Sequence, residues 1–550
     1  MELFKIEDVT YTYPEKNEPA LREATLAADK GEFLLLTGPS GGGKSTLARI
    51  LGGFIPAYYG GTISGKALFR GRPLKDMDSK ELRRRIGMVF QNPERQIVMK
   101  GVEKELAFGQ ENLGFGPGEM KRNISEVSEL MGLTGLLSRD TDRLSGGEKQ
   151  RLVIASVLAM AREVLILDEP TSQLDPAATE DILNRIRRLR DEAGLTVILI
   201  EQHLDECFAC ADRVIYVNNG AIERVLSPAE YAGWARENGL PFVPLVPRLF
   251  AGSGAGEIPL TVDEGRERLE TDGRILSGCA RPKGGRKEAK ESVVRADGIT
   301  YIYPDMTRAL EGVSLDFYRG DVTCVLGANG AGKSTLLRIL AGVLRPQSGS
   351  VRIMGRDIGA LGPAERASLA GYLSQDPNDY LFNETVREEL AYTMRNLGGV
   401  KISAIERMLK RLGLLDLGGM NPRFTSTGER QRIALGSVLV GNPEVLFIDE
   451  PTRGLDNGLK EAVGRLFRDL AQMEDKSVII VTQDVEFAAE YADDIAILTG
   501  GKLSASGSKH EVFSGDHSFL PPATRLFRGK AEGVVTFEDA LCILKGEEDG

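Results

Sequence analysis

Two stretches of the chain, GPSGGGKST (38–46) and GANGAGKST (327–335), share the spacing GxxxxGK[ST]. Each follows an apolar run and opens an amphipathic one, LARILGGF in the first case and LLRILAGVL in the second. Glycines at these places let successive backbone N–H groups converge on phosphate oxygens, the lysine supplies a cation, and the hydroxyl offers Mg2+ a hard oxygen ligand. The pattern predicts one phosphate site from Gly38, Pro39, Ser40, Gly41, Gly42, Gly43, Lys44, Ser45 and Thr46. A second is predicted from Gly327, Ala328, Asn329, Gly330, Ala331, Gly332, Lys333, Ser334 and Thr335. Lys44 and Lys333 are expected at the β and γ phosphates, and Ser45 and Ser334 on the metal. A metal also needs a rigidly presented carboxylate, and Asp168 and Asp449 end the apolar runs VLIL and VLFI. The next residues, Glu169 and Glu450, point elsewhere and are placed to polarise a water for attack on the γ phosphate. For either half alone, Asp-Glu could instead begin the turn set by Pro170 or Pro451; recurrence beside a phosphate loop favours the catalytic reading.

These residues need strands to present them. Short runs rich in Val, Ile and Leu (FLLLTG, VLILDE, TVILIE; then VTCVLG, VLFIDE, VIIVT) alternate with longer amphipathic stretches in each half. Strands apolar on both faces belong to a parallel sheet covered by helices, so each half is expected to be α/β. The stretch after VFQNP, including ISEVSELMGLTGLL, has helical spacing and predicts a mainly helical subdomain. The landmarks repeat in order: VTYTYPEKNEPALREATL with ITYIYPDMTRALEGVSL, VFQNPERQ with LSQDPNDY, LSGGEKQR with TSTGERQR, and VLILDEPTSQLD with VLFIDEPTRGLD. A looser echo joins LPFVPLVPRLFAG (240–252) to FLPPATRLFRG (519–529). So long a period marks a duplicated domain and not a solenoid. The predicted division is a first domain (1–235) with a C-terminal extension (236–280), a basic Gly- and Pro-containing linker (281–292), and a second domain (293–515) with its extension (516–550).

The chain's 550 residues carry 69 Lys plus Arg against 80 Asp plus Glu, a formal charge of -11, which is the wrong sign for wrapping nucleic acid. No run approaches the ~18 apolar residues a membrane helix needs. The start, MELFKIEDVT, does not have the form of a signal peptide, so a cytoplasmic location is expected. Five cysteines (Cys207, Cys210, Cys279, Cys324, Cys542) are no disulfide framework. The CxxC of Cys207 and Cys210 reads as helix packing in preference to a zinc or redox site.

LSGGE (144–148), with a phosphate loop before it and the LDEP strand after it, resembles the ATP-binding-cassette ATPases over nearly the whole chain, twice. The resemblance implies two P-loop ATPase domains, each with a RecA-like parallel-sheet core, an antiparallel β part and a helical subdomain. It also implies head-to-tail cassettes in which each ATP lies between one phosphate loop and the other signature. Ser145, Gly146 and Gly147 would then touch the nucleotide held by Lys333, and Ser426, Thr427 and Gly428 the one held by Lys44. Gln91 and Gln375 match the family's glutamine that senses Mg2+ and the attacking water. Tyr13 and Tyr303 match the aromatic that stacks on adenine, and Asp175 and Asp456 the acid that couples the sites. His203 matches the histidine that contacts the γ phosphate. Two departures stand out: TSTGE puts Thr427 where the family has glycine and Thr425 where it has leucine, and Gln483 is read as the counterpart of His203. The two sites are therefore expected to be unequal, the second slower.

Within the family, QNPERQIVMKGVEKELAFG, SQDPNDYLFNETVREELAYT and the tails carrying PRLF/LTVDEG and TRLF/VTFEDAL resemble energy-coupling-factor importers. That likeness implies a membrane-embedded coupling protein and a substrate-binding membrane protein as partners, with a vitamin or transition-metal ion as cargo. The ATPase would sit at the cytoplasmic face of the membrane, with ATP and Mg2+ as its ligands. The alternatives are a fused ATPase of monosaccharide importers and a ribosome-binding tandem ATPase, the latter disfavoured by a short linker and acidic charge.

Overall fold

A computed structural model describes residues 1–160, 163–171, 174, 176–252, 256–271 and 291–545. The chain divides into two compact units, Met1–Thr261 and Val262–Gly550. Each contains the same pair of sheets. In the first unit a four-stranded antiparallel sheet runs Leu21–Asp29, Glu2–Thr12, Thr62–Phe69, Arg72–Pro73. The six-stranded sheet runs Ala221–Leu226, Arg213–Asn218, Phe33–Thr37, Thr196–Ile200, Val164–Asp168, Ile86–Val89, parallel except for its first edge strand. The second unit repeats this order with Lys502–Ser508, Asp494–Thr499, Val322–Leu326, Ser477–Val481, Val445–Asp449 and Ala370–Leu373. Two domains of mixed α/β architecture, expected from the alternating runs, are what the chain forms.

The strands FLLLT, VLILD and TVILI are buried at every residue, as a sheet covered on both faces requires. Their period of two feeds two separate cores. Leu34, Leu36, Ile166, Ile198 and Ile200 pack with the phosphate-loop helix Lys44–Leu51 and the antiparallel sheet. Leu35, Leu165, Leu167, Val197 and Leu199 pack with the helical subdomain. That subdomain comprises Val102–Asn112, Pro117–Leu130 and Gly146–Met160, with Val386–Asn396, Ile402–Arg411 and Thr427–Leu439 as counterparts. Val102–Asn112 approaches Gly146–Met160 closely at Gly109, where an added Cβ would meet Met160 Sδ at 2.0 Å.

The PRLF segment forms the helix Leu245–Ala251 against Pro228–Glu237 in the first unit. The second unit opens on Val262–Thr271, which packs on the TRLF helix Pro522–Phe527. Arg266 Nη1 donates to Arg525 O at 2.9 Å, and Lys530 Nζ reaches Glu270 Oε1 at 3.0 Å. Most of the predicted linker, residues 281–290, lies outside the described residues, as does Cys279. Cys207 and Cys210 are free thiols that donate to His203 O and Glu206 O, as ordinary packing would have them. Among the described residues no helix is long and apolar enough to cross a membrane.

Candidate functional site

The first phosphate loop joins the strand Phe33–Thr37 to the helix Lys44–Leu51. Gly38, Gly41 and Gly43 have φ of 130°, 77° and 108°, a region costly to side chains, and a Cβ at Gly38 would lie 2.2 Å from Val217 O. Only glycine lets the loop turn this tightly against the sheet. Lys44 Nζ lies along the loop, donating to Gly38 O at 2.7 Å and Pro39 O at 2.8 Å. Ser45 Oγ donates to Asp168 Oδ1 at 3.0 Å. Burial raises the Asp168 carboxyl, opposed by the Ser45 hydrogen bond and the charges of Arg49 and Lys44.

Glu169 has φ of 50°, unusual for a side-chain-bearing residue, and its N–H donates to Ile200 O at 2.9 Å. This kink separates its carboxylate from that of Asp168. Gln202 Nε2 donates to Glu169 Oε1, and Gln91 Nε2 donates to Oε2 at 2.6 Å. Burial, followed by the neighbouring Asp168 charge, raises Glu169 to about 7.

In the second unit Lys333 Nζ donates to Gly327 O at 2.7 Å and Ala328 O at 3.1 Å, and Ser334 Oγ to Asp449 Oδ1 at 3.1 Å. Gly330 and Gly332 keep the positive φ of Gly41 and Gly43. Glu450 again has a positive φ, of 49°, and its N–H donates to Val481 O at 2.8 Å. Its Oε2 accepts from Thr482 Oγ1 and Gln483 N, each at 3.3 Å. Burial raises Glu450 to about 7, with Lys333 the strongest opposing influence. The Gln483 amide donates to Asn329 Oδ1, on the phosphate loop. Gln375 is exposed, and among the described residues no hydrogen bond joins it to Glu450, unlike Gln91 and Glu169.

Strand pairing corrects one expectation. Asp168 pairs with Ile200 and Asp449 with Val481, so the residues that follow correspond as Glu201 with Thr482, Gln202 with Gln483, and His203 with Asp484. Gln483 is therefore not the counterpart of His203. Matching by ring and amide slips one residue against the register that the parallel hydrogen bonds fix. Gln202, absent from the predicted site, is the glutamine that reaches Glu169, and the glutamine common to IEQH and VTQD was the available signal. His203 is half-buried, one residue beyond.

Tyr13 OH shares a hydrogen bond with Thr46 Oγ1 at 3.1 Å and accepts from Arg49 Nη1 at 2.8 Å, while Tyr303 OH and Thr335 Oγ1 lie 3.0 Å apart. Both rings are thus tethered to their phosphate-loop helices. Each signature is a helix start whose Ser and Glu form a capping box. Ser145 N donates to Glu148 Oε2 at 2.7 Å and Glu148 N to Ser145 Oγ at 3.3 Å; in the second copy Ser426 N donates to Glu429 Oε2 at 2.7 Å and Glu429 N to Ser426 Oγ at 3.4 Å. Gly146, Gly147 and Gly428 lie in the first turns, where a Cβ at Gly428 would meet Leu459 Cδ1 at 2.7 Å. Thr427 opens its helix, but its side chain lies outside the described residues, as does Asp175. Asp456 caps Asn457–Glu474 by accepting from Leu459 N at 2.9 Å.

The sequence model described as ABC transporter matches residues 21–172 and again 310–453, spanning both phosphate loops and both Asp-Glu pairs. The chain belongs to the ABC transporter family. A Bacillus cereus protein bearing the name of an ABC transporter ATP-binding protein is 37% identical over 539 residues, 97% of each chain. One of the same description from Methanosarcina acetivorans is 36% identical over 552 residues, covering 94% of this chain and 88% of its own. Among solved structures, the archaeal ribosome recycling factor aABCE1, in complex with the stalk protein aP1, matches with a TM-score of 0.60. That match covers 92% of this chain and 90% of its own at 23% identity, which establishes a shared tandem fold. The chain is thus a tandem ABC ATPase that binds ATP and hydrolyses it.

Proposed function

We propose that this ABC ATPase powers an energy-coupling-factor type importer for a vitamin or a transition-metal ion, working at the cytoplasmic face of the membrane through protein partners. The observation that carries this reading is the segment after each site glutamine. In the first unit the buried carboxylate of Glu105 accepts from Val98 N at 2.9 Å and Met99 N at 2.7 Å; in the second, Glu389 accepts from Phe382 N and Asn383 N, each at 2.8 Å. Both loops are fixed by the same device, and both hold an apolar side chain out to solvent, Val98 at 63% exposure and Phe382 at 67%. A pinned loop with an outward apolar residue, directly downstream of the ATP-site glutamine, suits docking of a membrane partner's helix.

At each site the glycine loop and Lys44 or Lys333 would bind the phosphates, and Tyr13 or Tyr303 would stack on adenine. Ser45 with Asp168, and Ser334 with Asp449, are paired hard-oxygen donors of the kind Mg2+ takes beside a nucleotide, and Gln91 and, on a move toward the site, Gln375 would join them. When bound, that ion would neutralise charge developing on the phosphates. Glu169 and Glu450 would orient the attacking water and accept its proton, their carboxylates being held by neighbouring amides and, in the second site, by a hydroxyl. Gln202 donates to the first glutamate through its side-chain amide and Gln483 to the second through its backbone N–H.

The test is affinity purification of the full chain from detergent-solubilised membranes. Recovery of two integral membrane proteins, one shared and one differing with cargo, is the expected result. Co-sedimentation with ribosomes and no membrane partner would overturn the reading.

A further inference from the structure

Glu201 stands at the end of the strand Thr196–Ile200 and is 1% exposed. A carboxyl so buried is costly unless its oxygens are hydrogen-bonded. Its Oε1 accepts from Thr171 Oγ1 at 2.6 Å and from Thr171 N at 3.0 Å. Thr171 lies two residues beyond Glu169, in the turn DEPT. The turn is therefore tied to the neighbouring strand at two points, Glu169 N on Ile200 O and Thr171 on Glu201. Between these ties the Glu169 carboxylate meets the amides of Gln91 and Gln202.

The second unit supplies an internal comparison, because its turn DEPT is the same while the strand-end position is Thr482. Thr482 does a different job: its hydroxyl donates to Glu450 Oε2 at 3.3 Å and accepts from Asp484 N at 3.0 Å. One position thus holds the turn in the first unit and the glutamate itself in the second. Glu169 is met instead by the side-chain amides of Gln91 and Gln202.

We infer that Glu201 is a positioning residue of the first ATP site, fixing the turn through Thr171 so that Glu169 lies where Gln91 and Gln202 reach both of its oxygens. The inference rests on the proposed role of Glu169 as the group that orients water. Burial, opposed by the Thr171 hydrogen bonds, raises Glu201 to about 8, so a glutamine is close to its ordinary neutral form and keeps the accepting oxygen.

The test uses the full chain with three substitutions, Glu201→Gln, Glu201→Leu and Thr171→Val. It reads vanadate trapping of a photo-reactive azido-ATP, with labelled peptides assigned to each half by mass spectrometry, alongside steady-state KM and Tm. Glu201→Leu keeps a buried side chain without an acceptor or a hydroxyl and is expected to lower trapping in the first half on the order of 10-fold or more relative to the second, the scale of a misplaced reacting group, with KM for ATP unchanged. Thr171→Val, which keeps the backbone donor, is expected to fall between Glu201→Leu and the unsubstituted chain. Glu201→Gln is expected to retain trapping. An unchanged ratio in Glu201→Leu, or Glu201→Gln as depressed as Glu201→Leu, overturns the inference while leaving the role of Glu169 intact. Undiminished trapping in Glu169→Gln, run in parallel, defeats that role instead.

Discussion

Ser45 Oγ donates a hydrogen bond to Asp168 Oδ1 at 3.0 Å, joining residues 123 positions apart, and Ser334 repeats it to Asp449 at 3.1 Å. The fold thus brings each loop's hydroxyl to the carboxylate at the end of an apolar strand two places away in the sheet, with the lysine one residue away on the same helix. Lys44→Ala combined with Lys333→Ala removes the phosphate cation from both sites and is expected to abolish ATP binding by calorimetry. Chelation of divalent ions is expected to stop hydrolysis in the unsubstituted chain. ATP affinity undiminished in the double variant would sink the assignment of these loops.

Strand register equates Gln202 with Gln483, yet their side-chain amides differ in partner: that of Gln202 donates to Glu169, that of Gln483 to Asn329 on the phosphate loop. Gln202→His, which replaces a side-chain donor to the glutamate, is expected to change turnover more than Gln483→His, which leaves the Gln483 backbone N–H on Glu450 in place. The second signature still departs at Thr425 and Thr427, and Thr427 narrows the backbone choices of a helix start that holds glycine in the first copy. Thr427→Gly is expected to raise ATP turnover. A change in Gln483→His as large as that in Gln202→His, or a fall in Thr427→Gly, would contradict this account.

What was legible in the sequence was local. The phosphate loops follow from glycine and lysine spacing, the Asp-Glu pairs from their place at the ends of apolar runs, and the α/β class from the alternation of runs. The Ser and Glu of LSGGE and TSTGE could also have been read as capping boxes, since S-x-x-E is a helix-start pattern in its own right. The one-residue correspondence beyond the strands was not legible, because VILIEQH and VIIVTQD can be matched in two ways and only the pairing of Ile200 with Asp168 and Val481 with Asp449 selects one. Glu201 stayed hidden for the same reason: a glutamate after a strand reads as a solvated end, and its burial is decided by Thr171, 30 residues away. The packing of Val262–Thr271 on Pro522–Phe527 is a still longer contact, unmarked by any local pattern.

Val98 and Phe382 are displayed by loops whose backbone is held through Glu105 and Glu389, so replacing their side chains leaves the loop tie intact. Val98→Glu combined with Phe382→Glu is expected to lower substrate uptake in reconstituted vesicles on the order of 10-fold or more, as loss of a docking anchor would. ATP hydrolysis by the isolated chain is expected to stay within about two-fold, since neither residue reaches a site. Equal loss of both activities would mean that these loops serve the ATP sites and not a partner.

Glu490, on the helix Val485–Tyr491, accepts from Phe537 N at 2.6 Å and so ties the second ATPase body to the C-terminal helix Phe537–Lys545. Burial raises it to about 7, Glu538 adds to the rise, and Lys509 opposes it; Arg468 faces the same turn and bonds Glu490 O at 3.4 Å. The unfolded chain holds this proton only up to the ordinary glutamate value of 4.5. Between the two values the folded state binds more protons than the unfolded, so the stability from this group is complete below the unfolded value and lost as pH rises through about 7. Glu490→Gln keeps an oxygen for Phe537 N and removes the titration. It is expected to match the unsubstituted chain in Tm near pH 4, below the ionisation of this glutamate in both the folded and the unfolded chain. Near pH 8 it is expected to exceed it by several degrees, since a rise from 4.5 to about 7 is worth on the order of 3 kcal/mol. A Tm difference that does not change between the two pH values would show that Glu490 is already ionised in the fold, with its charge held by Lys509.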